Sequence, residues 1–355
     1  MEKKNLLISL FSICFVTLAV PIFMLAYAQQ APPKERIQLK YAFTWVEQMA
    51  HNQRRMWMFN KLEERTNGRV KVSYLPPGSL GSATEMLGLI KTGAADMCEI
   101  SPAYWPGEFP FWNLPVMQLF RSHDEAITVG TRLTHVRQET APLFRREEAK
   151  QNIRVFTHSG SEGPYLFTTK KPVRRLADLK GLKTRSMGKW GPATYGKIGA
   201  VAVTVPFAET YDALRKGVID ATCMPLWGIY QYKIHEAANY VSFSLGANAA
   251  YGIGIMNLNT WNRLPPDVQK MVEDIALESI PFEIELVKKL TEEAKPSFHI
   301  IEVPKEEQEY IDKVWWDEVV DKLWIKDMVG SGLGKEAELL LRVLKEELSK
   351  YRKGK

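Results

Sequence analysis

The residue best placed to bind a ligand by its charge is Arg185. Residues 182–185 predict a short strand, and Ser186 begins a loop after it. Ligands of open α/β sheets bind at the carboxyl ends of strands. An arginine at such an end can hold a carboxylate through two parallel, charge-assisted hydrogen bonds. The position alone also fits a surface salt bridge, which at this point is the slightly stronger interpretation.

Motifs that would indicate an enzyme are incomplete. The His235-Glu236 pair is not followed by a second histidine at the spacing of a zinc protease. The serine-glycine stretch after His158 lacks the first glycine of a hydrolase nucleophile elbow. The six histidines and the cysteines show no metal-ligand spacing. We therefore expect no catalytic residue, no metal and no cofactor. A secreted hydrolase that uses His158, Ser161 or Glu162 is the alternative from another class.

The elements that must position Arg185 alternate between strands and helices. A spacing of Glu, then Gly eight residues later, then Asp three residues on begins at Glu85 and again at Glu209, each time between two predicted strands. This repeat predicts two similar α/β lobes, although chance is the alternative because glycine is common at helix ends. A long helical pattern runs from Pro265-Pro266 to about Ala294. A helix of about 30 residues is ~45 Å long, enough to brace both lobes.

The N-terminus predicts export. A positively charged flank precedes an apolar run over residues 6–25, and residues 26–28 (Ala-Tyr-Ala) match the small-x-small pattern of a signal-peptidase site. We expect residues 1–28 to be a signal peptide that is cleaved before Gln29. The alternative is an uncleaved membrane anchor, because the apolar run approaches the ~20 residues that span a bilayer.

Composition restricts the function classes. The chain of 355 residues has 47 Lys and Arg against 41 Asp and Glu, a formal net charge of +6. The excess is spread along the chain, so the footprint of a nucleic-acid-binding protein is missing. Cleavage would leave two cysteines, Cys98 and Cys223, each in an apolar run. We expect buried thiols and no structural dependence on a disulfide.

Several stretches resemble the DctP-type solute-binding proteins of TRAP (tripartite ATP-independent periplasmic) transporters. They are residues 178–185 (Asp-Leu-Lys-Gly-Leu-Lys-Thr-Arg), residues 206–214 (Pro-Phe-Ala-Glu-Thr-Tyr-Asp-Ala-Leu) with Gly217 and Asp220, residues 77–81 (Pro-Gly-Ser-Leu-Gly), residues 85–87 (Glu-Met-Leu) and residues 93–96 (Gly-Ala-Ala-Asp). The resemblance covers nearly all of the chain after residue 28, in the right order. It implies a periplasmic α/β protein with a two-lobed, periplasmic-binding-protein-like fold. Such a protein closes on a ligand and delivers it to the small and large membrane subunits of an ion-coupled transporter.

For this fold we expect lobe I to comprise residues 36–160 plus about 247–290. Lobe II would comprise residues 161–246 plus about 291–345. Hinge strands would cross near Gly160 and Gly246, and the long helix would brace both lobes. A homodimer is left open, as is a sensory ligand receptor that signals to a membrane partner instead of a transporter.

The resemblance also suggests the binding residues. In the DctP type, the arginine at the position of Arg185 holds the ligand carboxylate, and Phe207 matches a position that packs on the ligand. The predicted ligand-binding residues are Arg185, Phe207, Tyr165, Trp45, Ser101, Tyr104, Met224 and Trp227. Three of them, Ser101, Tyr104 and Tyr165, could donate hydrogen bonds to ligand oxygens. For the tryptophans, including the further candidates Trp105 and Trp190, ordinary core packing is the alternative.

Departures from the family pattern bear on the ligand. Sialate-binding members carry a second arginine where this chain has Tyr165, and an asparagine where it has Met224. Members that chelate a metal together with a 2-oxoacid carry a Glu–Trp pair near this second position, which this sequence lacks. We therefore favour a monocarboxylate with an apolar or aromatic body. A C4-dicarboxylate is the alternative, because Lys170, Lys171 or Lys189 could reach inward.

Overall fold

The computed structural model describes residues 35–114, 120–160, 165–186, 188–244 and 252–354. The predicted signal peptide and its cleavage site lie outside these ranges, as do Ser161, Glu162 and Gly246. Within the described ranges, no helix has both the length and the hydropathy that crossing a bilayer requires.

Five strands form a first sheet, sheet A. They are β1 (Ile37–Ala42), β2 (Val70–Leu75), β3 (Met97–Ile100), β4 (Ile153–His158) and β10 (Ile253–Asn257). Their order is β2-β1-β3-β10-β4. Strand β1 is parallel to β2 and β3, whereas β10 is antiparallel to β3 and β4. Every residue of β3 and β10 is buried, as expected for central strands that are covered on both faces.

Sheet B repeats this arrangement. Its strands are β5 (Tyr165–Thr168), β6 (Lys183–Ser186), β7 (Val201–Thr204), β8 (Ala221–Met224), β9 (Tyr240–Ser244) and β11 (His299–Ile300). Their order is β11-β9-β5-β8-β6-β7. Strand β6 is parallel to β7 and β8, and β5 is antiparallel to β8 and β9. The set β7-β6-β8-β5-β9 thus matches β2-β1-β3-β10-β4, and the prediction of two similar α/β lobes is confirmed.

The chain passes between the sheets in both directions. It leaves sheet A after β4 to form β5, and it returns after β9 to form β10. We call sheet A with its helices lobe I and sheet B with its helices lobe II. Cys98 of β3 and Cys223 of β8 hold equivalent places in the two sheets, and both are buried free thiols, as expected.

Helices connect the strands and extend the C-terminus. They are α1 (Ala50–Arg65), α2 (Met86–Lys91), α3 (His123–Thr131), α4 (Ala141–Lys150), α5 (Trp190–Lys197), α6 (Thr210–Arg215), α7 (Leu226–Gln231), α8 (Leu258–Arg263), α9 (Pro266–Ala294), α10 (Lys305–Lys313), α11 (Ile325–Gly330) and α12 (Gly334–Lys353). Just beyond α2 and α6 lie Gly93 and Gly217, with φ of +80° and +71°. Glycine adopts this left-handed backbone without strain, which explains the repeated spacing.

The long helix α9 has the extent that the sequence predicts, 29 residues. On the lobe I side, Arg54 of α1 donates a hydrogen bond from Nε to Ser279 Oγ of this helix (2.6 Å). Farther along, Val287 packs with Met49 and with Trp227 of α7 in lobe II. The helix therefore contacts elements of both lobes, and the predicted brace is confirmed.

The C-terminal helix α12 returns to lobe I. Tyr351 Oη donates to Asp124 Oδ2 (2.7 Å), and Arg352 Nε donates to Glu125 Oε1 (2.6 Å), so the helix end is tied to α3. Before it, Gln308 of α10 bonds the backbone of Ser244 in sheet B. The segment from α10 to α12 thus forms a second tie between the lobes. The lobe boundaries stay a prediction, in which residues 291–345 belong to lobe II although α12 contacts lobe I.

Candidate functional site

A cleft lies between the strand ends of the two lobes. Its cavity volume is about 50 Å³. The lining residues are Trp45, Met49, His51, Ser101 and Tyr104 from lobe I, and Phe207, Met224, Pro225, Trp227 and Gly228 from lobe II. Most of these side chains are apolar or aromatic, so the cleft suits a ligand with an apolar body.

Equivalent points of the two sheets supply the walls. Strand β3 is followed by Ser101 and by a 3₁₀ turn, Pro102–Tyr104, which carries Tyr104 into the wall. Strand β8 ends at Met224, and α7 beyond it carries Trp227. Since β3 and β8 hold matching places in parallel sets of strands, both walls stand at carboxyl strand ends, where α/β sheets bind ligands.

Arg185 is buried in β6, with 1% of its surface exposed. The alternative of a surface salt bridge is therefore wrong. Its Nε donates to the carbonyl oxygen of Val205 (3.0 Å), and its guanidinium carbon lies 5.3 Å from the centroid of the Phe207 ring. Because Phe207 lines the cleft and Arg185 does not, the arginine adjoins the cleft through this ring. Burial lowers the pKa of Arg185, but a guanidinium stays charged in proteins.

Six of the eight predicted binding residues line the cleft. They are Trp45, Ser101, Tyr104, Phe207, Met224 and Trp227. Tyr165 does not line it; it lies in β5, opposite Met224 of β8. Trp105 and Trp190 pack against buried core residues, so the core-packing alternative describes these two. Whether any of the eight contacts a ligand stays a prediction.

Among the described residues that line the cleft, sequence reasoning missed four: Met49, His51, Pro225 and Gly228. His51 matters most, because its imidazole is polar and its ring lies 5.2 Å from that of Trp227, edge to face, across the two lobes. No motif marks His51 in the sequence. It stands in the first turn of α1, whose Asn52, Arg54 and Arg55 are also buried, and only tertiary contacts make that turn an interior one.

A buried charge cluster supports the cleft floor. It consists of His51, Arg54, Arg55, Glu99, His123 and Glu283, all buried. His51 Nδ1 lies 3.0 Å from Glu99 Oε1, Arg55 Nη2 lies 3.3 Å from Glu99 Oε2, and Arg54 Nη1 lies 2.5 Å from Glu283 Oε2. Burial alone would raise the pKa of Glu283, but the charge of Arg54 and the contact with His123 outweigh it and hold that pKa well below its usual range. The two arginines thus offset the two carboxylates in a place that water does not reach.

The chain matches a known protein family over most of its length. Residues 47–328 match the DctP family, described as bacterial extracellular solute-binding protein, family 7. This match spans well over half of the chain. The chain belongs to the DctP family.

Known proteins resemble this DctP-family chain in sequence and in fold. The C4-dicarboxylate-binding periplasmic protein of Rhodobacter capsulatus is 27% identical over 245 residues, which are 66% of this chain and 70% of the relative. A TRAP periplasmic solute-binding protein from Desulfovibrio salexigens has a TM-score of 0.73 at 26% identity, over 89% of this chain and 96% of its own. A TRAP solute-binding protein from Rhodoferax ferrireducens, in complex with copurified benzoate, has a TM-score of 0.76 at 22% identity, over 89% and 99%.

Membership makes this chain a solute-binding receptor of the TRAP type and not an enzyme. The hydrolase alternative is therefore wrong. Of the three residues that the hydrolase alternative uses, the structure describes His158. This residue does not line the cleft but lines a separate cavity. Burial lowers its pKa to about 3, so its imidazole would be a weak base at neutral pH.

Proposed function

We propose that this DctP-family protein is the periplasmic, ligand-capturing subunit of a TRAP transporter for a monocarboxylate with an apolar or aromatic body. Arg185 holds the carboxylate, and the lobes close over the rest of the ligand before delivery to the small and large membrane subunits. The observation that carries the proposal is a buried arginine packed on Phe207, at the edge of an otherwise mostly apolar cleft.

Energetics require both parts of the site. A charge-assisted hydrogen bond contributes about 1.5–3 kcal/mol net, whereas micromolar affinity needs about 8 kcal/mol. Burial of apolar ligand surface contributes roughly 25 cal/mol per Å². The rings of Trp45, Phe207 and Trp227 and the thioethers of Met49 and Met224 supply the surface that would cover the ligand. Arginine therefore orients the ligand, and the apolar wall supplies most of the affinity.

The charges around the cleft favour one carboxylate over two. Lys170 and Lys171 are exposed. Lys189 bonds Asp327 at the surface and lies over the Trp190 ring, so none of the three lysines lines the cleft. The imidazole of His51 does line it, but this ring already faces the carboxylate of Glu99. A second ligand carboxylate at that end would meet an imidazole that is already paired with Glu99 and no unpaired lysine or arginine among the described lining residues.

Both ligand classes occur among similar proteins. The R. capsulatus relative binds C4-dicarboxylates, and the R. ferrireducens structure holds benzoate. A thermal-shift screen with benzoate, cyclohexanecarboxylate, succinate and malate separates the two classes. A ligand at 100 times its dissociation constant stabilises a protein by about 2.7 kcal/mol. We expect this stabilisation from the ring-bearing monocarboxylates and not from the C4-dicarboxylates; the reverse order would contradict the proposal.

Replacement of Arg185 tests the role of the arginine. We expect Arg185→Ala to weaken benzoate binding by about ten- to hundredfold, since it removes a charge-assisted contact. Arg175→Ala is the matched control, because Arg175 is an exposed arginine paired with Glu307 on the same lobe. Titration calorimetry on variants with native circular dichroism gives the dissociation constants. Unchanged affinity in Arg185→Ala would rule out the carboxylate role.

A further inference from the structure

The hydroxyl group of Ser101 makes no hydrogen bond to the turn that it precedes. Ser101 stands at the N-cap of the 3₁₀ turn Pro102–Tyr104, with extended backbone angles. Serine is favoured at N-caps because its oxygen accepts a backbone N–H of the following turn. Here the side chain makes no such bond. Ser101 is 5% exposed, and its Oγ has no hydrogen-bond partner among the described residues.

Two further residues that line the cleft also carry a buried polar atom without a hydrogen-bond partner among the described residues. Trp227 Nε1 and His51 Nε2 are buried and have no hydrogen-bond partner in the described part of the chain. The carboxylate oxygen Glu283 Oε1 lies 4.0 Å from His51 Nε2, which is beyond hydrogen-bond distance. Buried polar atoms in native proteins are nearly all paired. Three such atoms on residues that line one cleft indicate that a bound molecule supplies the partner.

The chemistry of these atoms restricts that partner. An indole N–H only donates, so Trp227 needs an acceptor; a serine hydroxyl donates or accepts. An oxygen atom satisfies both, either as a carbonyl or as a hydroxyl. Ser101 belongs to lobe I and Trp227 to lobe II, whereas the carboxylate end is assigned to Arg185 beside Phe207. When Arg185 takes both carboxylate oxygens through two parallel hydrogen bonds, the oxygen at Ser101 and Trp227 belongs to another part of the ligand.

We propose that the ligand is a ring-bearing monocarboxylate with a hydroxyl or carbonyl oxygen on its ring, and that Ser101 and Trp227 bind this oxygen. The inference rests on the proposed function, because it takes the carboxylate end as fixed at Arg185. Contact with both residues ties the oxygen to both lobes, so it adds affinity in the closed arrangement of the cleft. Ser101 then distinguishes ring-bearing monocarboxylates that carry a ring oxygen from those of similar size that lack it.

The test compares benzoate with 3-hydroxybenzoate and 4-hydroxybenzoate by titration calorimetry. In the unaltered protein we expect at least one hydroxybenzoate to bind about three- to tenfold more tightly than benzoate, the range for one net hydrogen bond. Ser101→Ala removes the hydroxyl, and Trp227→Phe keeps a ring against His51 while removing the N–H. In each variant, the ratio of the hydroxybenzoate affinity to the benzoate affinity should move toward one. This holds even where the variant changes the affinity for benzoate. Ser242→Ala is the matched control: its Oγ is also buried without a partner in the described chain, but Ser242 does not line the cleft.

The outcomes separate this inference from the proposed function. If benzoate binds and neither hydroxybenzoate binds more tightly, the oxygen site is wrong while the carboxylate receptor stands. A preference that survives in both Ser101→Ala and Trp227→Phe, or that is lost equally in Ser242→Ala, also overturns the oxygen site. If none of the three acids binds, the monocarboxylate proposal and the oxygen site fail together.

Discussion

Glu147 is a buried carboxyl group with an unusual titration. Its Oε1 accepts a hydrogen bond from the backbone N–H of Phe111 (2.7 Å), and its Oε2 lies 3.2 Å from the N–H of Trp112. Burial outweighs these bonds and raises the pKa of Glu147 to about 8. A folded-state pKa above the unfolded one means that folding takes up a proton between about pH 4.5 and 8. The stabilisation is present in full below that range and is lost as the pH rises through it.

We therefore expect the free energy of unfolding to fall between pH 5 and pH 8, by up to about 5 kcal/mol from this group. Glu147→Gln keeps an acceptor oxygen without the charge, so its stability should depend less on pH over this range. Urea denaturation at several pH values measures the slope, with the exposed Glu306→Gln as control. Equal slopes in the unaltered protein and Glu147→Gln would contradict the raised pKa.

Helix α9 contacts helix α1 of lobe I through two ion pairs that differ greatly in burial. Glu283 lies in its interior-facing stripe and pairs with buried Arg54 at 2.5 Å. Glu278, on the same helix, pairs with Arg65 at the same distance, but both side chains are well exposed. Breaking a buried pair leaves an uncompensated charge inside the protein, at a cost of about 3–5 kcal/mol. An exposed pair contributes about 0–1 kcal/mol.

Glu283→Ala should therefore destabilise the protein by about 3–5 kcal/mol, and Glu278→Ala much less, because solvent screens the exposed pair. Both substitutions shorten the same residue type on the same helix, and the buried Glu283 loses more side-chain packing as well as its ion pair. Denaturant unfolding of the two variants measures the free energies. Similar values for both would mean that Arg54 finds another partner and that the buried charge cluster is not held by Glu283.

The extent of α9 could be predicted from the sequence, whereas its partners could not. A proline pair starts the helix and apolar residues recur on one face, so periodicity alone gives its bounds. The pairing of Glu283 with Arg54 joins positions 229 residues apart. The same holds for His51 and Glu99, which meet because β1 and β3 are neighbours in sheet A. Arg185 could be found because a family motif surrounds it, but its burial depends on the strands on both sides of β6.

At the scale of the whole molecule, the two sheets of the described chain are tied together at more than one place. Helix α9 contacts both lobes, and the segment from α10 to α12 starts on sheet B and ends on α3. Leu340 and Leu344 of α12 are buried in the same core cluster as Leu166 and Phe243 of sheet B and Ile253 of sheet A. A core shared in this way couples the lobes, whereas separate cores joined by linkers unfold independently.

We therefore expect one cooperative unfolding transition for the whole chain, with coincident midpoints from calorimetry, tryptophan fluorescence and far-UV circular dichroism. Leu344→Ala removes buried side-chain volume from the shared core and should lower the free energy of unfolding by about 2–5 kcal/mol. The transition should shift as a unit and not split, because α12 stabilises both lobes. Leu323→Ala, at a partly exposed leucine of the same C-terminal segment, should shift it much less. Two resolved transitions, with only one of them moved by Leu344→Ala, would show that α12 stabilises a single lobe and that the two lobes unfold independently.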